Sequence, residues 1–130
     1  RVVMMESDES RNERKSSPGE HYVIGDARTD ESLLAVGIER ASAVISVTAH
    51  DPVNLMIVLS ARALNPKLRI AVRASEQDAV GKLYLAGADY VLHHHGVFGK
   101  ATMRMKWIKI RPTTIRSTPI SMYLKYRVGK

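Results

Sequence analysis

The chain has 130 residues, 45% apolar and 25% charged, with no cysteine; this is one domain with enough apolar material for a core, and it excludes disulfide scaffolds, thiolate metal sites and cysteine nucleophiles. No apolar run approaches the roughly 18 to 20 residues that a spanning helix needs, and no signal-peptide core stands near the start. The net charge of +7 is unevenly placed: residues 1–99 carry 11 Lys and Arg against 13 Asp and Glu, whereas residues 100–130 carry nine basic residues and no acid.

That shift in composition marks a boundary near Gly99 and divides the chain into a domain over residues 1–100 and a basic tail or crossover segment over 101–130. The lack of cysteine fits a reducing compartment, so a cytoplasmic location is expected. Because the sequence opens on Arg1 and runs straight into an apolar stretch, it reads as a piece of a longer protein.

Along residues 1–99, short apolar runs alternate with helical patterns, the signature of a parallel sheet with crossover helices. Val2-Val3-Met4-Met5 is a strand closed by Glu6, and Ser7-Asp8-Glu9-Ser10 starts a charged helix ending at Ser17-Pro18-Gly19. His21-Tyr22-Val23-Ile24 is a second strand, stopped by Gly25-Asp26; Asp30 then caps a brief helix carrying Leu33, Leu34 and Val36, ended by Gly37. Ala43-Val44-Ile45-Ser46-Val47 is a third strand. After a loop at 48–51, Pro52 takes the first turn of a helix that runs to Leu64 and stops at Asn65-Pro66. This helix is apolar nearly all round and needs cover on two sides, from the sheet and neighbouring helices or from another subunit. Residues 69–73 form a fourth strand, Ser75 caps a helix closed by Gly87, and Tyr90-Val91-Leu92 is a fifth strand.

The ordered series from Gly25-Asp26-Ala27 through Gly37-Ile38-Glu39-Arg40-Ala41, Ala43-Val44-Ile45 and Asn54-Leu55 to Leu85-Ala86-Gly87-Ala88-Asp89 resembles the N-terminal lobe of RCK domains, the regulators of K+ conductance also called TrkA-N domains. The resemblance covers residues 1 to about 101. It implies an α/β, Rossmann-like parallel sheet with crossover helices. It also implies a cytoplasmic regulator of a K+ channel or K+ transporter that binds an adenine nucleotide, NAD(H) or ATP/ADP. Such a regulator assembles as a homo-oligomer of dimers or octameric rings at the inner face of the membrane. The family's first strand and its G-x-G-x-x-G turn belong ahead of Arg1, and no such motif stands in this chain, whose glycines are at 19, 25, 37, 81, 87, 96, 99 and 129. That turn brings backbone N–H groups to a pyrophosphate. Its strand sits in the middle of the usual order, so the expected sheet has a gap that another chain, another segment or a rearranged order must fill.

By the same resemblance Glu6, at the end of its strand, is placed to accept both ribose hydroxyls of an adenosine, against a plain helix-flanking acid. Asp26 and Ala27 match the adenine-side contact, although a turn Asp that satisfies local N–H groups is the alternative. Thr48, Ala49 and His50 follow a strand at its carboxyl end, where ligands of open α/β sheets bind, while Asp51 reads as a residue near the cap of the next helix. Arg73 ends the next strand and either meets a phosphate or stands in solvent. Calcium-gated members carry carboxylates where Val47, Arg73 and Ser75 stand here, which argues against calcium activation through that site. His93-His94-His95 alternates faces as strand residues do and has no matched carboxylate, so no metal site is expected. Gly96-Val97-Phe98-Gly99-Lys100 fails the spacing of a phosphate loop, and Phe98, Met103 and Trp107 are spaced either for contact with a partner subunit or for packing on their own domain.

No nucleophile, base and orienter share a spacing that suggests catalysis, so an enzyme is not expected. Two other classes compete with the regulator: a fragment of an NAD-dependent dehydrogenase, which shares the fold, and a nucleic-acid-binding module acting through the basic tail. With the regulator as the leading reading, no nucleic-acid partner is expected.

Overall fold

The computed structural model describes residues 2–7, 18 and 20–93 together with the backbone of 122–126. The charged helix expected between Ser7 and Gly19, the histidines 94 and 95, the glycine-flanked stretch 96–100, Met103 and Trp107 lie outside the described residues. Within them the chain forms β1 (Val2–Glu6), β2 (Glu20–Ile24), α1 (Asp30–Ala35), a 3-10 turn (Ile38–Arg40), β3 (Ala41–Ser46), α2 (Asp51–Leu64), β4 (Arg69–Ala74), α3 (Gln77–Ala86), β5 (Tyr90–His93) and β6 (Met122–Tyr126).

The sheet order is β2-β1-β6-β3-β4-β5. β1 and β2 pair in parallel, as do β3, β4 and β5, and that is the α/β Rossmann-like arrangement expected. The gap expected in the middle of the sheet is filled by a segment of the same chain. β6 runs antiparallel between β1 and β3, with Met122 opposite Met5 on one side and Ser46 on the other.

From β2 onward every parallel connection steps the same way across the sheet, and right-handed crossovers therefore put α1, α2 and α3 on one face. Alternate strand residues turn to that face: Val3 and Met5, Val44, then Ile70, Val72 and Ala74 close a core with Leu33, Ile57, Val58, Ala61 and Leu83. Met4, Ala43, Ile45, Ala71 and Leu92 alternate to the opposite face and are also buried. Burial on both faces is why these strands read as continuous apolar runs in the sequence.

Two helix starts differ from expectation. The cap of α1 is Thr29 rather than Asp30, with the Thr29 hydroxyl accepting the Ser32 N–H; Asp30 moves into the first turn, where its charge still favours the helix dipole. The cap position of α3 is Glu76 rather than Ser75, and neither side chain caps it. Asp51 supplies the acceptors from another element, as described below. At the far end of α2, Asn65 stops the helix and ties it to the 3-10 turn, its Nδ2 donating to the carbonyls of Ile38 (2.9 Å) and Ala41 (3.2 Å). α2 nonetheless leaves Pro52, Met56, Leu59 and Ala63 exposed, positions i, i+4, i+7 and i+11 that form one apolar stripe.

Candidate functional site

In a parallel sheet every strand delivers its carboxyl end to the same edge, and ligands of such folds sit there, beside the point where strand order reverses. Here that point lies between β1 and β3, at the Met122 end of β6. All the candidate residues stand on this edge, but in different states of use.

Glu6 closes β1 and is 7% exposed. Its Oε1 accepts the Ser7 N–H at 2.8 Å, which fixes the carboxylate where the strand ends. The Glu6 carbonyl accepts the Gly25 N–H at 3.0 Å and so locks the end of β2 beside it. Asp26 is engaged locally. Its carboxylate accepts the Arg28 backbone N–H (2.9 Å) and a two-pronged contact from the Arg28 guanidinium (2.9 and 2.8 Å). The hydrogen bond from the Arg28 side chain, ahead of its charge, holds the Asp26 carboxyl below the usual carboxylate range. The Ala27 methyl belongs to the core, which leaves only the Ala27 backbone to meet a ligand.

The loop after β3 is organised by Asn54, which is fully buried. Its Oδ1 accepts the hydroxyls of Ser46 and Thr48, both at 2.8 Å, and the Thr48 N–H at 3.2 Å. Its Nδ2 donates to the carbonyls of Thr48 (3.1 Å) and Arg73 (2.9 Å). Thr48 is therefore a structural member of the loop, while Ala49 and His50 are exposed and available. Asp51 does not cap its own helix. Its Oδ1 accepts the Ser75 N–H at 2.8 Å and its Oδ2 the Glu76 N–H at 2.9 Å, in the two residues that lead into α3. Arg73 lies one residue beyond the Ser46 and Val72 pair, half-buried; among the described residues its guanidinium makes no hydrogen bond or ion pair.

Among the described residues no three His, Asp or Glu side chains gather to hold a metal ion. The roles of Asn54 and Asp51 were missed by reading the sequence. A signal for Asn54 exists: one amide inside an apolar helix, which must be buried and therefore hydrogen-bonded. For Asp51 none does, because its partners lie 24 and 25 residues away.

The candidates divide into two groups on one edge, Glu6 with Asp26 and Ala27 on the β1 and β2 side, and Thr48 to His50 with Arg73 on the β3 and β4 side. At about 4.8 Å per strand, Glu6 and Arg73 stand on the order of 14 Å apart. An extended ligand with a hydroxyl-bearing sugar at one end and an anionic group further on suits that spacing; a compact ion does not.

The TrkA-N domain family matches residues 1–94. Potassium channel protein 1 of Methanocaldococcus jannaschii is 35% identical over 115 residues, covering 87% of this chain and 34% of that protein. Among solved structures, the TrkA-N domain of the inner membrane protein ybaL from Escherichia coli aligns with a TM-score of 0.67 at 26% identity, covering 80% of this chain and 77% of that one. The GsuK channel bound to NAD aligns with a TM-score of 0.61 at 34% identity over 70% of this chain and 16% of that one, and GsuK has also been solved bound to ADP. The chain spans about a third or less of the length of the potassium channel proteins it matches.

Proposed function

The chain belongs to the TrkA-N domain family, and from that premise we propose that residues 1–100, with β6 completing their sheet, are the ligand-sensing lobe of a K+ channel or K+ transporter, binding an adenine nucleotide at the carboxyl edge of that sheet. The observation that carries this reading is Glu6: a carboxylate at the end of β1, buried and fixed by the Ser7 N–H, at the reversal of strand order. A carboxylate in that place accepts the two hydroxyls of a ribose. The NAD- and ADP-bound forms of GsuK support the choice of ligand class, NAD(H) or ATP/ADP.

Binding at this edge acts without bond making. A ligand that contacts both groups of candidates favours one packing of the β1–β2 and β3–β5 halves, and its differential affinity for two packings is the free energy available to move a pore. The protein then works as a regulator rather than an enzyme, on the cytoplasmic side of the membrane that holds its channel or transporter. The uncharged stripe of Pro52, Met56, Leu59 and Ala63 on α2 supports assembly as a homo-oligomer.

Calorimetric titration with NADH, NAD+, ATP and ADP tests the ligand, with Glu6→Ala as control. Saturable binding that the control loses is the expected result; a folded protein that binds none of the four refutes the sensor reading. For assembly, Leu59→Asp is expected to lower the mass measured by light scattering, and an unchanged mass removes α2 from the interface.

A further inference from the structure

We propose that Asp51 and Asn54 are positioning residues for a phosphate-bearing ligand and act on it through Arg73. The inference rests on the nucleotide reading above and adds to it the side chains that set the anionic half of the site.

Arg73 is the one permanently cationic candidate, and its guanidinium is unengaged among the described residues. A guanidinium is useful to a phosphate only when its backbone is fixed, because its value lies in a rigid fork of donors. The backbone around Arg73 is held on one side by β5, with Arg73 opposite Leu92 and Ala74 opposite His93. On the other side the ladder with β3 ends at Val72, and beyond Ala74 the chain reaches α3 only at Gln77, with no side-chain cap. Residues of α2 supply the restraint. Asn54 Nδ2 holds the Arg73 carbonyl at 2.9 Å, while Asp51 holds the Ser75 and Glu76 N–H groups at 2.8 and 2.9 Å. The strand end is thus pinned at Arg73 and just beyond it from a single turn of one helix.

The same two residues fix the other side of the crevice. Asn54 gathers Ser46 and both the side chain and backbone of Thr48, and the Ala49 carbonyl accepts the Ser75 hydroxyl at 3.4 Å. Loop 48–50 and segment 73–76 therefore move as one unit, and a phosphate at this edge meets Arg73 already placed, which lowers the ordering cost of binding.

The test compares ADP with adenosine, which lacks the phosphates, by titration calorimetry on wild type, Asp51→Asn, Asn54→Ser, Arg73→Ala and the Asp51→Asn/Arg73→Ala double variant, each checked for folding by thermal unfolding. Asp51→Asn keeps one acceptor but turns an amide toward a backbone N–H. It is expected to weaken ADP about tenfold and to leave adenosine within about twofold, and in the Arg73→Ala background Asp51→Asn is expected to cost nothing further. A role confined to stability would weaken both ligands together. Equal losses for adenosine and ADP, or additive losses in the double variant, overturn the proposal. Asn54 is buried, so if Asn54→Ser does not fold, Asp51→Asn carries the comparison. Wild type that binds neither ligand defeats the nucleotide reading itself, and this inference with it. Wild type that binds ADP no better than the folded Asp51→Asn variant defeats only the inference.

Discussion

At the scale of single residues, two positions show how local geometry becomes a measurable quantity. Gly87 closes α3 in a left-handed conformation (φ +119°), and a Cβ there would stand 2.9 Å from Cγ of Arg62. Gly87→Ala therefore suffers both backbone strain and a clash, and is expected to destabilise by about 1–3 kcal/mol, read as a lower midpoint in thermal unfolding; a midpoint equal to wild type would show that neither penalty operates. Asp26 makes a prediction in pH. Its carboxyl is held low by Arg28, so the pairing stabilises the fold above the unfolded value of about 3.9 and is lost as pH falls through the lowered folded value. In Arg28→Gln the Asp26 carboxyl carbon is expected to titrate closer to the ordinary range by NMR, and the stability difference from wild type is expected to vanish in acid. An unmoved midpoint would assign the shift to another cause. Because the pair is exposed, the effect on stability is small. Such residue-level detail is half legible in sequence. Gly87 announces a helix end, and Asp26 as a turn Asp was one of two readings open; the neighbour that makes Gly87 intolerant, Arg62, is remote in the chain.

At the scale of elements, the approaches to β4 and β5 are clasped by one side chain. The Arg62 guanidinium donates to the carbonyls of Gly87 (3.1 and 2.8 Å), Pro66 (2.8 Å) and Leu68 (2.7 Å) and to Asp89 Oδ2 (3.0 Å), and Asp89 Oδ2 also accepts the Ile70 N–H at 2.8 Å. It thereby joins the end of α2, the turn into β4, the end of α3 and the approach to β5. Arg62→Ala leaves several carbonyls without a donor and is expected to cost about 2–4 kcal/mol. Arg62→Lys should recover only part of that, since an ammonium cannot reproduce the fork. Denaturant midpoints of the two variants check this, and a lysine variant as stable as wild type would show that charge alone suffices. The elements themselves were readable because their signals are local: apolar runs for strands buried on both faces, Pro52 at a helix start, Asn65-Pro66 at its stop. The helix starts at Thr29 and Glu76 were displaced by one residue because several cap-type side chains stand in a row, and because the N–H groups of Ser75 and Glu76, which lead into α3, are held from α2. The Arg62 clamp had no signal, since a basic residue in the last turn of a helix is ordinary in sequence.

At the scale of the whole molecule, the sheet exists as one body because of its last strand. β1 and β2 meet β3, β4 and β5 within the sheet only through β6. That strand could not be assigned in advance, because a basic, partly alternating run serves equally as a tail or as a strand, and only the gap between β1 and β3 decides in favour of a strand. What was legible was the need: two groups of parallel strands and no central partner. The consequence can be tested by ending the chain at residue 121. Without β6, the edges of β1 and β3 lose their ladder partners while Val3, Met4, Met5, Val44 and Ile45, all 5% exposed or less, still require cover. Unpaired central edges of this kind are templates for association between chains. The shortened chain is expected to lose its cooperative thermal transition or to aggregate, and a synthetic peptide of residues 119–130 added in trans is expected to restore part of the transition. A shortened chain that unfolds cooperatively at the wild-type midpoint would show that β1 and β3 close the sheet without β6. Since the candidate nucleotide edge straddles the same junction, with Glu6 on one side and Arg73 on the other, the shortened chain should also lose ADP binding, and the peptide should restore both properties at the same concentration.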